Sequence, residues 1–228
     1  MAMLKSSFAL IALAFALCFT MSIGSYEYFK FVVQWPPAHC RVRKCTPQAL
    51  QQKIYTIHGL WPSNYSKAVV YNCPGSSFQN PAPPLEAKLK ISWPNLERPN
   101  DAMFWALEWD RHGKCSEQTF TQTQYFNRAH EIWVGKNITD ILQRASILSG
   151  RQKDYGVIEL AVRSKTQKTP LLRCEQPKQK PTQKPTQPTQ RTQWLHEVVL
   201  CWDYHAKNMI DCDDTEATCQ DTFPIDIL

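Results

Sequence analysis

The chain has 228 residues, enough for one domain with a full core, and a formal net charge of +6. Acidic residues are well mixed among the basic ones, so the charge is a mild bias toward polyanions and not a nucleic-acid signature. Only one apolar run is found, Phe8 to Phe19, and it is too short to span a bilayer, which excludes a membrane anchor.

That run follows Lys5 and precedes the small residues Ser22-Ile23-Gly24, so residues 1–24 read as a secretory signal and 25–228 as the mature domain. Losing Lys5 leaves the mature chain at +5. Cys18 departs as well, and eight cysteines remain: Cys40, Cys45, Cys73, Cys115, Cys174, Cys201, Cys212 and Cys219. An even number in a secreted chain implies disulfides. Zinc is the rival reading, and no CxxC pair supports it. The sequons at Asn64 and Asn137 fit a secreted glycoprotein.

Tyr26 to Trp35 is aromatic and β-branched, and reads as a strand that Pro36-Pro37 stops. Cys40 and Cys45 could clip a tight loop. Lys53 to Ile57 reads as a second strand running into His58, with a turn at Gly59. Residues 64–84 are loop-like, and Pro83-Pro84 opens a short helix to Ile91. Asn100-Asp101 leads into Phe104 to Cys115, FWALEWDRHGKC, where helical spacing stacks Glu108 and His112 on one face beside Arg111. Gln118 to Trp133 is expected to be helical, with Phe120, Phe126, Ala129 and Trp133 inward. Ile138, Ile141, Leu142, Ala145 and Leu148 continue that spacing up to a stop at Gly150. Gly156 to Val162, Trp194 to Tyr204 and a short piece around Met209 to Cys212 read as strands. Residues 176–193, QPKQKPTQKPTQPTQRTQ, have too few apolar groups to join a core and are expected as an exposed loop. Strands and helices without regular alternation make an α+β domain.

A carboxylate, two histidines and a cation can cleave RNA. A base takes the 2′-OH proton, the oxygen attacks phosphorus, an acid protonates the departing 5′-oxygen, and a 2′,3′-cyclic phosphate is left. Histidines suit both proton transfers because their ordinary pKa lies near ~6.5. A fixed cation helps as charge builds on the phosphoryl oxygens. Neither metal nor cofactor is needed. Taken alone, a Glu–His pair at that spacing is more often a surface pair on a helix, and a lone histidine after a strand is more often structural. HExxH zinc chemistry fails, because the order is Glu108 then His112 with Leu107 before them. His39, His130, His196 and His205 lack comparable settings and read as structural or surface residues.

Two segments together are specific: IHGLWP at 57–62 and the pattern W-x-x-E-W-x-x-H-G-x-C at 105–115. They resemble the two active-site segments of the secreted ribonuclease T2 family. YFKFVVQWPP, TIHGLWPSNYS, HGKCSEQ, TPLLRC and LHEVVLC extend the likeness over the mature chain, toward the self-incompatibility ribonucleases of rose-family plants. The resemblance implies a single domain with an antiparallel sheet packed against helices. It implies His58 as general acid, His112 as general base, and Glu108 and Arg111 as transition-state stabilisers. It places Gln34, Asn95, Leu96, Phe104 and Leu107 at positions of RNA contact. It implies the disulfides Cys40–Cys45, Cys73–Cys115, Cys174–Cys219 and Cys201–Cys212. The substrate would be single-stranded RNA, and the protein an extracellular monomer that rejects self pollen with a pollen-side recognition protein as partner. Alternatives are a ribonuclease of defence or phosphate salvage, and a catalytically idle recognition protein. Two departures stand out: Leu107 replaces a histidine thought to help hold phosphate, and Arg111 replaces a common lysine.

Overall fold

The computed structural model describes residues 26–66, 70–177 and 192–228. The expected signal at 1–24 and most of the 176–193 segment lie outside them. Gln193 at the end of that segment belongs to a strand and is buried, where its amide donates to Gln220 O and Phe223 O.

The described elements are β1 (Tyr28–Gln34), α1 (Pro36–Val42), α2 (Pro47–Gln51), β2 (Thr56–Ser63), α3 (Pro83–Ser92), α4 (Asp101–Arg111), α5 (Gln122–Gly135), α6 (Ile138–Arg144), β3 (Arg151–Lys153), α7 (Tyr155–Thr166), β4 (Leu171–Glu175), β5 (Gln193–Trp202), β6 (Met209–Ile210) and β7 (Ile225–Ile227). Short 3₁₀ turns follow α4 at Gly113–Ser116 and precede β7 at Asp214–Glu216. Strand β5 is the hub. It pairs antiparallel with β1, β4 and β6, and parallel with β7, in the order β2-β1-β5-β7-β3.

The two-residue period divides the sheet's faces. Phe29, Phe31 and Val33 of β1 join Val198, Leu200 and Trp202 of β5 and the buried Trp93, Trp105, Trp109, Tyr125 and Phe126 of the helical side in one core. The opposite face carries a smaller cluster of Tyr28, Val32, Leu171, Val199 and Cys201. The register puts Gln34 beside Glu197, and Arg173 beside Glu197, on this second face. Gln34, Arg173 and Glu197 are thereby kept off the aromatic core.

All four disulfides implied by the resemblance are present: Cys40–Cys45, Cys73–Cys115, Cys174–Cys219 and Cys201–Cys212. Cys73–Cys115 ties the end of the α4 segment to the loop after β2.

Several local expectations change. Gly156 to Val162 is not a strand but part of α7, and the buried residues Ile158, Val162 and Thr166 are four apart. A strand would have buried Leu160, which is 65% exposed. The β-branched content of this segment obscured its period. Pro36 and Pro37 do end β1, yet they also open α1, where missing N–H groups cost nothing. Strand β2 begins later than expected and runs through His58 and Gly59 instead of stopping there. Helix α5 starts at Gln122, where Thr121 and Gln124 form a reciprocal cap. Helix α6 ends at Arg144. Ile147 is buried there in place of Leu148, and Gly150 serves a positive φ of 79° before β3. Strands β3, β4 and β7 were not legible as strands.

Candidate active site

Strand β2 brings the first histidine. Val32 pairs with Gly59 but Val33 pairs with Ile57, so His58 is the extra residue of a β-bulge. In a regular strand His58 and Trp61, three apart, would face opposite sides. The bulge turns both onto the second face, where Gln34, Glu197 and Arg173 lie. Gly59 is therefore no turn residue. A Cβ there would fall 1.9 Å from Trp61 Nε1 and 2.5 Å from Glu108 Oε2, so only glycine lets these groups close over the strand.

Helix α4 brings the acid. Asn100 caps it by accepting from Met103 N, and Asp101 Oδ1 accepts from Asn95 N at 2.7 Å. Trp105 and Trp109 are buried on its inner side, and Glu108 is buried between them in sequence. Trp61 Nε1 donates to Glu108 Oε2 at 2.8 Å. His112 does not share a helix face with Glu108, because the helix ends at Arg111 and His112 is its C-cap residue. The two remain coupled through the last helical hydrogen bond, His112 N to Glu108 O at 2.9 Å. The indole of Trp61 joins the parts: its centroid is 5.0 Å from the His58 ring and 5.2 Å from the His112 ring.

The histidines have different surroundings. His58 Nδ1 lies 2.5 Å from Glu197 Oε1, and the ring is 29% exposed toward the cleft. Burial works against a charged His58, but the Glu197 carboxylate, its hydrogen bond and the charge of Glu108 outweigh it, so its pKa stands above the ordinary value. His112 packs against Trp61 and Tyr71, and its buried Nδ1 has no partner among the described residues. Burial, with the charges of His58 and Arg111, pushes its pKa down to about 4. Burial also raises the Glu108 carboxyl, against the pull of His58, the Trp61 hydrogen bond and Arg111.

A cleft of about 470 Å³ opens beside this group, lined by Gln34, His39, His58, Asn95, Leu96, Glu97, Arg98, Met103, Phe104, Leu107, Glu108 and Arg111. Thus all five residues that the resemblance marks for RNA contact sit on one cavity with His58, Glu108 and Arg111. Gln34 is 2% exposed, and its Oε1 lacks a partner among the described residues. Asn95 is occupied within its own turn: Oδ1 accepts from Glu97 N and Arg98 N, and Nδ2 donates to Asn100 O. Leu107 stands 40% exposed on the lip. His39, read as structural or surface, lines the cleft. There it meets Glu97 Oε1 at 3.1 Å and His196 at 3.4 Å. His196 is also tucked in, whereas His130 bonds Ser92 away from the cleft.

Glu197 was not singled out by the sequence reading. Its signal was present as the only acid in β5, a strand that is mostly apolar. Among the described residues no group of His, Cys, Asp and Glu side chains is arranged to hold a metal ion, and no helix is long and apolar enough to cross a membrane. Asn137 is an exposed helix cap whose Oδ1 accepts from Asp140 N, and Asn64 lies partly buried at the end of β2.

A model of the ribonuclease T2 family matches residues 26–212. Ribonuclease MC of Momordica charantia is 36% identical over 204 residues, covering 87% of this chain and 99% of that one. Ribonuclease S-5 of Pyrus pyrifolia is 31% identical over 209 residues, covering 89% and 87%. Among solved structures, ribonuclease MC1 from bitter gourd seeds superposes with a TM-score of 0.75 at 33% identity, over 88% of this chain and all of that one. A mutant of the same enzyme solved with 5′-UMP gives 0.75 at 34%, over 89% and 98%.

Proposed function

The chain belongs to the ribonuclease T2 family and is an endoribonuclease; from that premise we propose that His112 is the general base and His58 the general acid of RNA cleavage. His112, neutral above its low pKa, takes the 2′-OH proton. The 2′-oxygen attacks phosphorus. His58, held charged, gives its proton to the 5′-oxygen as the P–O5′ bond breaks, leaving a 2′,3′-cyclic phosphate. Arg111 on the cleft and the buried Glu108 act on the charged phosphoryl group in the transition state. Glu108 also anchors Trp61, which spaces the histidines. The observation that carries this reading is that one indole contacts two histidines whose surroundings favour opposite protonation states.

The cleft accepts a splayed base of single-stranded RNA. Phe104 supplies a ring for stacking and Gln34 an unpaired amide oxygen, while Leu96 and Leu107 give apolar contact and Asn95 clamps the turn that carries Leu96. The chain is secreted through its leader at 1–24, and carries glycans at Asn64 and Asn137. It works as an extracellular monomer. Its similarity to pear S-ribonucleases supports a role in rejecting self pollen, with a pollen-side protein as partner. A second reading, a ribonuclease of defence or phosphate salvage outside pollen rejection, is left open by the higher identity to a relative that is not named an S-ribonuclease.

The test is cleavage of single-stranded RNA in the presence of a metal chelator, beside His58→Ala and His112→Ala. Wild type should give cyclic phosphate ends and both variants should fall by ~10²–10⁴-fold. A well-folded wild type without activity would overturn the mechanism and favour the idle recognition protein. Loss of activity on chelation would overturn its metal-free form.

A further inference from the structure

On the reading of His58 as an acid, the structure assigns Glu197 the role of the positioning residue that orients His58, through a hydrogen bond to Nδ1 that Arg173 braces from the other side.

Glu197 is 5% exposed in the central strand. A carboxylate in such a place is costly unless both its oxygens are satisfied by charged or hydrogen-bonding partners. Each oxygen here has its own. Oε1 takes His58 Nδ1 at 2.5 Å, and Oε2 takes Arg173 at 3.3 Å. His58 lies on β2 and Glu197 on β5, with β1 between them. Strands two places apart are separated by roughly 9–10 Å, so both side chains must lean over β1 to meet. The bulge at His58 makes that approach.

Arg173 is held in turn. Its second amine lies 3.4 Å from Glu216 Oε2, and Glu216 also meets Lys30. The neighbouring Cys174 is bonded to Cys219, and its N–H donates to Thr218 Oγ1 at 2.8 Å. The Arg173 guanidinium also sits over the Trp61 ring, 5.7 Å from its centroid. One cation therefore backs both neighbours of His58, the carboxylate and the indole.

The chemical consequence is specific. A carboxylate at Nδ1 fixes the tautomer with its proton on Nδ1, leaving Nε2 to serve the leaving oxygen. The proton given to the 5′-oxygen comes from Nε2, and Nδ1–H stays on the ring. Glu197 remains ionised throughout. Burial would raise its pKa, but His58, their hydrogen bond, His196 and Arg173 bring it to about 2. The other groups facing His58 are Glu108 from α4 with His112 beyond it, His39 from α1 and His196 beside Glu197. Of the two acids, only Glu197 bonds the ring.

The test uses E197Q, which keeps the shape and an acceptor oxygen but removes the charge, and E197L, which removes both. For a dinucleoside monophosphate, E197Q should leave KM within about twofold. It should lower kcat near neutral pH by about tenfold or more, short of the ~10²–10⁴-fold that a general acid contributes in full. The alkaline limb of its pH profile should move to lower pH, and E197L should lose more. An E197Q enzyme with wild-type kcat and limb, changed only in melting temperature, would overturn the role. Nitrogen NMR of wild-type His58 gives a second decision that does not depend on turnover or on any variant folding. At high pH the neutral ring should carry its proton on Nδ1, and a ring protonated on Nε2 would overturn the assignment even in an active enzyme. If His58→Ala keeps full activity, the acid reading fails separately, while the NMR result still stands for the hydrogen bond.

Discussion

Adding one methyl at Gly59 should disable the site without touching any group that moves a proton. In Gly59→Ala the new Cβ would lie 1.9 Å from Trp61 Nε1, 2.5 Å from Glu108 Oε2 and 2.7 Å from Trp61 Cδ1. Neither partner is the free end of a flexible surface chain. The indole is wedged between two histidine rings, and Glu108 is on a buried helix face. To regain ordinary contact the indole must retreat by about 1.5 Å. Overpacking of that kind costs ~1–3 kcal/mol, and breaking the Trp61–Glu108 hydrogen bond adds ~1.5–3 kcal/mol. A total of about 2.5–6 kcal/mol lowers the melting temperature by roughly 5–24 °C for a chain of this size. Misplacing catalytic groups by about 1 Å costs on the order of 10²-fold in rate. Thermal melting and steady-state cleavage of a dinucleoside monophosphate, measured on the same preparation below the melting range, check both figures. A Gly59→Ala protein that melts and cleaves like wild type would refute the claim that glycine is there for close approach.

The pH profile of kcat/KM should be broad, with its acid limb well below 6.5 and its alkaline limb above it. The base must be neutral, so activity rises through the His112 pKa of about 4. The acid must be charged, so activity falls only above the raised His58 pKa, past the ordinary 6.5. A narrow bell centred on 6.5 would mean that both imidazoles titrate as if in water. The disulfides should differ in worth. Chain-entropy reasoning gives about 4 kcal/mol for Cys73–Cys115, separated by 42 residues, and about 2 kcal/mol for Cys40–Cys45, separated by 5. Denaturant unfolding of the two paired Ser variants checks the order. Activity should fall with the first pair, because Cys115 follows His112 directly through a 3₁₀ turn.

The chemistry was more legible than the strands that carry it. His58, Glu108, Arg111 and His112 stand in two short motifs, and the cleft residues Gln34, Asn95, Leu96, Phe104 and Leu107 follow from the same likeness. That all of these but His112 line one cavity, with His112 joined to them through the Trp61 ring, is a tertiary fact. The bulge at His58 escaped because a bulge is defined by the partner strand, not by its own residues. Glu197 escaped for a related reason: its partner is 139 residues away and across an intervening strand. An isolated acid in an apolar strand signals a buried pair, but not with whom. The misreading of α7 was local. Val157, Ile158 and Val162 are β-branched, and only the spacing of buried positions after folding shows a helical face.

The fold gives the two histidines opposite environments. His58 stands on the sheet, where neighbouring strands supply carboxylates and a bulge can aim the ring at one of them. His112 stands past the end of a helix against Trp61 and Tyr71, where burial is uncompensated among the described residues. The raised pKa of the first and the lowered pKa of the second both follow from those placements, with no contribution from sequence neighbours except Arg111, which lowers His112 further. Leu107 lies on the cleft and has no part in this division, whereas the charge of Arg111 adds to it on the His112 side. Leu107, 40% exposed, adds apolar surface to the cleft that Phe104 also lines. On the proposed reading, Leu107 bears on how RNA is held, while the surroundings of His58 and His112 are set by Glu197, Trp61 and Tyr71.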